Sequence, residues 1–320
     1  MQRRTFLQAT SAALGVSAQA LADAPMPMVT LGKSGLKVSK FCLGGFHMAK
    51  QGEANGIRII HRAIDLGVNF LDSAHKYHKG GSDEIYGKAL SPSLRQKVLL
   101  MSKAELRSKD EAMKQLEDTL RRMKTDYLDL WQCHEVARHD EVDKIFAPGG
   151  SLEAFVLAKK QGKVRHIGFT GHHDFTVHQR LLDGYDGWET VQHPVNLIDQ
   201  HYMSFINNFL PNARKKGLGI IAMKSNAIGE ITKQNVANIQ DCLRFAWSQN
   251  IDTLVSGVET VEQLEENVLA CKAHKKMSPR EISSMLDRTK KGLTGSKVER
   301  YKKPEAGAWR HRPHYDGDDA

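Results

Sequence analysis

Cysteine is scarce in this chain. Cys42, Cys133, Cys242 and Cys271 are the four among 320 residues, and they form no Cys-x-x-Cys pair and no zinc-type spacing. Four free thiols are therefore expected, although an oxidising compartment would permit a bridge. No run of 18 apolar residues occurs, so nothing spans a membrane as a mature helix. Low-complexity tracts are absent too. With 40% hydrophobic, 26% charged and 7% aromatic residues, collagen-like and wholly disordered chains are excluded. The formal net charge is +9, but the 46 basic and 37 acidic residues are mixed along the chain with no basic-aromatic recognition pattern. A solvated surface explains that balance, and nucleic acid is not expected as a partner. The length suits one large domain or two ordinary ones, and an α/β barrel fits as a single unit.

Residues 1–24 read MQRRTFLQATSAALGVSAQALADA. The pair Arg3-Arg4, the following Thr5-Phe6-Leu7, a small apolar run and Ala-x-Ala triplets resemble a twin-arginine export signal with a signal-peptidase site. Cleavage after Ala20, Ala22 or Ala24 is compatible with the pattern. The resemblance implies the twin-arginine export machinery as a partner, folding in the cytoplasm and a periplasmic mature protein.

Beyond the leader, short apolar segments alternate with longer amphipathic ones. The short segments are 40–46, 69–74, 97–103, 127–134, 164–171, 190–196, 219–225 and 252–258, and helix-like runs include 56–66, 109–124, 152–161, 236–249 and 261–274. In 109–124, Ala112, Leu116, Leu120 and Met123 share one helical face. The short segments lack clean alternation, as strands buried on both faces should. Eight strand-then-helix units predict a closed (β/α)8 barrel, the TIM-barrel architecture, over residues 25–274. Before them, VTLGKSGLKV at 29–38 reads as a hairpin able to plug the barrel floor. After His274 the pattern stops. Residues 275–320 form a C-terminal tail, basic up to Arg312, whose Tyr301, Trp309 and Tyr315 predict partial packing.

Active sites of such barrels lie where strands end. The second predicted strand ends in Asp72 and runs into His75-Lys76-Tyr77, the third ends in Lys103, and the fourth in His134. These four side chains make a proton-delivery set. A phenol with an ordinary pKa of about 10 is a weak acid at neutral pH. An ammonium beside it draws that value down, and a carboxylate keeps the ammonium charged. The histidine can orient a substrate oxygen toward the phenol. Carbonyl reduction by hydride requires such an acid.

Asp72-x4-Tyr77 within NFLDSAHKYHKGGSDEIYGKAL, Lys103 in LLMSKAE and His134 in DYLDLWQCHE resemble the catalytic tetrad of the aldo-keto reductase family. The likeness continues through LGKSGLKVS, LEDTLRRMKTDYLDL, GKVRHIGFTG, VQHPVNLID, GLGIIAMKS and SGVETVEQLEEN, in order, over nearly the whole mature chain. It implies an oxidoreductase that uses NADPH, with NADH possible, to reduce an aldehyde or ketone to an alcohol. Tyr77 is then the general acid, Lys103 lowers its pKa, Asp72 holds Lys103 and His134 positions the carbonyl. The nicotinamide amide is expected near Thr170 and Gln192, its ring over Met223, and the pyrophosphate near Lys224 and Ser225. Ser256, Gly257, Val258, Gln263, Glu266 and Asn267 would face the adenosine half.

Three features depart from the family pattern. Thr170-Gly171-His172 stands where Ser-Asn is common, and Met223 stands where many members stack an aromatic ring. A thioether packs against a ring face more loosely. Glu259 and Gln263 occupy the positions of the usual basic residues for a 2′-phosphate, leaving Lys272 or the basic tail as substitutes.

Other signals carry less. Gly217-x-Gly219-x-x-Ala222 leads into a strand instead of joining strand to helix, so it is no dinucleotide loop. His134-Glu135 and His139 lack the spacing of a metalloprotease helix. His75, His78, His172 and His173 are read as pocket or rim residues, and no metal is expected. Two alternatives stay open: a cofactor-binding homologue without turnover, and a metal-dependent barrel hydrolase. His75, Lys76, His78 and Lys79 beside the pocket point to a polar, sugar-like or anionic small-molecule carbonyl substrate.

Overall fold

A computed structural model describes residue 20, residues 23–289 and residues 298–303. Residues 1–19, 21 and 22, which carry most of the expected export signal, lie outside the described residues, as do Trp309 and Tyr315.

All eight predicted strands form. They are β3 (Phe41–Gly44), β4 (Phe70–Asp72), β5 (Leu99–Ala104), β6 (Leu128–Cys133), β7 (Val164–Thr170), β8 (Thr190–Pro194), β9 (Gly219–Met223) and β10 (Thr253–Gly257). Each pairs in parallel with its neighbours, and β10 pairs with β3 to close the barrel. Parallel pairing leaves no strand face to water, because helices cover the outside and side chains fill the inside. β4, for example, is buried at all three positions. A two-stranded hairpin, β1 (Met28–Thr30) and β2 (Lys37–Ser39), precedes the barrel in antiparallel register. Its Leu31 and Val38 are fully buried and pack with Cys42, Phe70, Met101, Leu130 and Ile221, which face inward from five strands. The hairpin is therefore the floor plug. Gly219 allows it: a Cβ there would meet the Leu31 side chain at 2.6 Å.

The covering helices bury one face each. In α1 (Lys109–Met123), Ala112, Leu116, Leu120 and Met123 are buried, and the Ser108 hydroxyl accepts from the Glu111 amide to start the helix. Burying each such leucine is worth about 1.5–3 kcal/mol. The helix expected at 236–249 starts later, as α2 (Ile239–Ser248), because the Asn238 side chain caps it by accepting from the Asp241 amide at 2.8 Å. α3 (Val261–Lys272) follows β10.

The segment after His274 is more ordered than its polarity suggests. α4 (Pro279–Thr289) begins with a reciprocal cap, in which the Ser278 hydroxyl accepts from the Glu281 amide and the Glu281 carboxylate accepts from the Ser278 amide. The signal Ser-Pro-x-Glu stands in the sequence, with proline at the first helical position. Met277 and Met285 bury this helix against Leu197, Ile198, Ala227, Ile231 and Phe245. Residues 298–303 then cross the barrel mouth. Lys302 is fully buried there, its ammonium 2.7 Å from both Asp199 and Glu299. The Tyr301 hydroxyl donates to Glu299 at 2.6 Å and accepts from Asn196 at 2.9 Å.

Candidate active site

The strand ends bring Asp72, Tyr77, Lys103 and His134 together. Asp72 closes β4, Lys103 is the fifth residue of β5, and His134 follows β6, so three neighbouring strands aim into one mouth. The Lys103 ammonium donates to the Asp72 carboxylate and, at 2.6 Å, to the Ser73 carbonyl. It lies 5.0 Å from the centre of the Tyr77 ring. The Tyr77 and His134 rings stand 5.8 Å apart, edge to face. Tyr77 begins a single helical turn in which His78 and Lys79 adopt left-handed backbone, φ 50° and 56°, a conformation non-glycine residues rarely take.

Electrostatics keep this phenol protonated. Burial pushes the Tyr77 hydroxyl well above its ordinary range, and the Asp72 and Glu135 charges push it further. Lys103, bound to Asp72 and the Ser73 carbonyl, does not reverse that rise. Burial holds His134 well below the usual imidazole value, with Lys76 and Lys103 adding to it, so the ring is neutral near pH 7. The site thus offers a neutral phenol and a neutral imidazole as proton-bearing groups, beside a neutralised ion pair.

Around them the sequence-named residues fall into three adjoining spaces. An enclosed pocket of about 50 Å³ is bordered by Tyr77, Lys103, His134, Thr170, Gln192, Met223 and Lys224, together with Lys76, Glu135 and His172. A cleft of about 410 Å³ runs from Asp72 and Tyr77 past Gln192, Met223, Ser225, Ser256 and Gly257. An outer cavity of about 740 Å³ shares Asn226, Ile239 and Gly257 with the cleft and reaches Gln263, Glu266 and Asn267 at the start of α3. Val258 is the exception: it is buried in the core and borders none of the three. Lys224 borders the groove but carries its ammonium 5.0 Å over the Tyr301 ring.

The three spaces adjoin one another from Tyr77 to the start of α3. The Gln192 Oε1 atom is buried without a partner, as an acceptor awaiting an amide donor would be. The residues present can therefore hold a nicotinamide cofactor, with Met223 and Gln192 at the inner end and the start of α3 at the outer. Sequence reading missed Phe46, whose ring edges Tyr77 at 5.3 Å, and His47 and Lys50 on the far cleft wall. Arg288 of α4, within the basic tail that the sequence offered as a substitute source of cations, borders the outer cavity. The end of the predicted strand 40–46 is the signal that could have found Phe46 and His47, whereas Lys50 and Arg288 carry no local one.

The histidines disperse. His75 faces Gln115, Glu105 and Asp118, with its Nδ1 3.2 Å from the Gln115 amide. His78 lies 2.8 Å from the Phe46 carbonyl, and His172 lies 3.4 Å from Glu135. His173 lies 3.2 Å from the Tyr301 carbonyl. Among the described residues no three His, Cys, Asp or Glu side chains gather as metal ligands do.

A closed parallel barrel with an Asp–Tyr–Lys–His cluster at its C-terminal mouth defines an oxidoreductase class, and comparison with known proteins agrees. The chain belongs to the aldo/keto reductase family, whose profile matches residues 40–241. It is 30% identical over 229 residues to the uncharacterized oxidoreductase YrpG of Bacillus subtilis, covering 64% of this chain and 68% of that one. It is 32% identical over 167 residues to the 6-dehydroglucose reductase of Novosphingobium aromaticivorans, covering 46% and 53%. Its fold matches an aldo-keto reductase from Klebsiella pneumoniae in complex with NADPH, with TM-score 0.66, 22% identity, and coverage of 90% of this chain and 99% of that one.

Proposed function

We propose that this protein is an NAD(P)H-dependent reductase that converts an aldehyde or ketone to an alcohol, with Tyr77 as general acid. The observation that carries this reading is the convergence of a protonated, buried Tyr77 with His134 and the Lys103–Asp72 pair beside a cleft of about 410 Å³ that adjoins the outer cavity. A bound nicotinamide cofactor supplies the hydride. The chain does the rest. His134, neutral and facing the same pocket, orients the carbonyl oxygen. Tyr77 gives its proton to that oxygen as negative charge develops. Lys103, fixed by Asp72, then stabilises the phenolate left behind.

NADPH is the cofactor we assign. Arg288 is the one cation bordering the outer cavity among the described residues, and it supplies the partner that Glu259 and Gln263 do not. NADH is the second reading, because Glu266 shares that cavity. A polar, sugar-like substrate is supported by the charged mouth and by likeness to the 6-dehydroglucose reductase. The twin-arginine signal at 1–24 supports export of the folded protein to the periplasm. Replacing Arg3 and Arg4 by lysine should then retain it in the cytoplasm on cell fractionation.

The test of the activity is Tyr77→Phe, which keeps the ring and removes the proton. Its carbonyl-reduction kcat should fall by about 10²–10⁴, while NADPH binding, followed by fluorescence, stays within a factor of three. Wild-type-like turnover in that variant would overturn the assignment of Tyr77.

A further inference from the structure

Three ammonium groups border the enclosed pocket beside Tyr77 and His134: those of Lys76, Lys103 and Lys224. Two are matched. Lys103 is paired with Asp72, and Lys76 with Glu135. The other Glu135 oxygen faces His172 at 3.4 Å, so that carboxylate is fully occupied. His172 itself is pushed down to about 4 by burial and then by Lys224, and carries no charge near pH 7.

Lys224 is left over. Among the described residues its ammonium has no carboxylate at ion-pair distance and no hydrogen-bond acceptor, and its neighbour is the face of Tyr301 at 5.0 Å. An aromatic face steadies a cation without neutralising it. The lysine is also held in place. Its backbone is left-handed, φ 56°, in a turn where the Ala227 amide donates to the Lys224 carbonyl at 2.9 Å. A fixed, half-buried cation with no counter-ion is costly unless a ligand supplies one.

We infer that Lys224 anchors a carboxylate carried by the substrate, so that the substrate is an aldehydo or keto acid, including the sugar acids. The inference rests on the reductase reading above. The anion belongs to the substrate because the Lys224 ammonium stands over Tyr301 on the wall shared with Glu135 and His172. Lys224 also borders the cleft, but the route to the outer cavity continues along Ser225, Asn226 and Gly257, none of which borders the enclosed pocket. A carboxylate suits the space better than a phosphate: the enclosed pocket holds about 50 Å³, and one unmatched positive charge calls for one negative. The segment 298–303 is thereby part of substrate recognition, since Tyr301 positions the ammonium and is itself fixed by Glu299 and Asn196.

The experiment compares matched pairs, 4-oxobutanoate against butanal and glucuronate against glucose, in the full-length protein with NADPH. Wild type should favour the acid by about tenfold or more in kcat/KM, as a charge-assisted contact would. Lys224→Met should bring the acid-to-neutral ratio close to one, and Lys224→Arg should keep part of it. The preference should fade as pH rises through about 8, where Lys224 loses its proton. Calorimetric binding of butanoate, with NADP⁺ present, should vanish in Lys224→Met. A ratio near one in active wild type, or one unchanged by Lys224→Met, overturns the inference. So does a Lys224→Met variant that loses NADPH affinity but keeps the ratio, which would assign the lysine to cofactor phosphate. If no carbonyl compound is reduced, the reductase reading fails, and butanoate binding alone then upholds or overturns the anion site.

Discussion

The pair Lys103–Asp72 shows how much one buried contact decides. Both side chains are almost wholly out of water, at 1% and 2% exposure, and neither could stay charged alone. Burial works to raise Asp72, and Lys103 opposes it. Asp72→Asn removes the counter-charge and leaves a buried ammonium, so unfolding stability should drop by about 3–5 kcal/mol. The double variant Asp72→Asn/Lys103→Met should recover most of that loss in a urea titration while remaining inactive. If the single and double variants are equally destabilised, the pair is not an electrostatic unit. The thiols behave as isolated core residues: all four are free and buried, and burial raises each above its ordinary value. A colorimetric thiol reagent should react with none of them in the native protein and with four after unfolding.

At the scale of elements, the tail is the part whose role changed most on folding. α4 and the segment 298–303 look like polar, basic chain in sequence, yet they bury Met285, Val298, Tyr301 and Lys302. Lys302 joins Asp199 of the β8–β9 connection to Glu299 across about a hundred residues of chain. Lys302→Met leaves two buried carboxylates without their cation. The expected cost is about 3–5 kcal/mol, seen as a lower urea midpoint. Glu299→Gln in the same background should restore part of it. Arg288 makes the second prediction for this element. Arg288→Gln should weaken NADPH binding by at least about tenfold, the scale of one charge-assisted phosphate contact, and leave NADH binding unchanged. Equal losses for both nucleotides would detach Arg288 from the 2′-phosphate.

Across the whole molecule, the buried histidines set the response to acid. Burial lowers His47, His172, His193 and His274 to about 4, and holds His134 and His178 well below the ordinary value. In the unfolded chain these imidazoles take up protons as pH falls through about 6.5, whereas in the folded protein they stay neutral. Their contribution to stability is therefore full above about 6.5 and is lost as pH falls toward 4. Asp72, Asp83 and Glu299, raised by burial, act in the opposite sense but are fewer. The urea midpoint should be lower at pH 5 than at pH 7.5, and an unchanged midpoint would contradict the burial of these rings.

The sequence by itself determined the barrel and the centre of the candidate site. Strand and helix periods are local properties, readable from which side chains must avoid water, and eight repeats of the pair leave few ways to close a parallel sheet. Strand ends then follow from the same pattern, so Asp72, Lys103 and His134 could be placed on one mouth before any coordinates. What only the tertiary structure decided was how charges are matched. Whether Lys76 answers Glu135, whether Lys302 is buried and whether Lys224 lacks a counter-ion among the described residues depend on chain segments up to about a hundred residues apart meeting over the mouth. Composition counts those charges, but solvent screening and burial give each its energy, and burial exists only once the chain has closed.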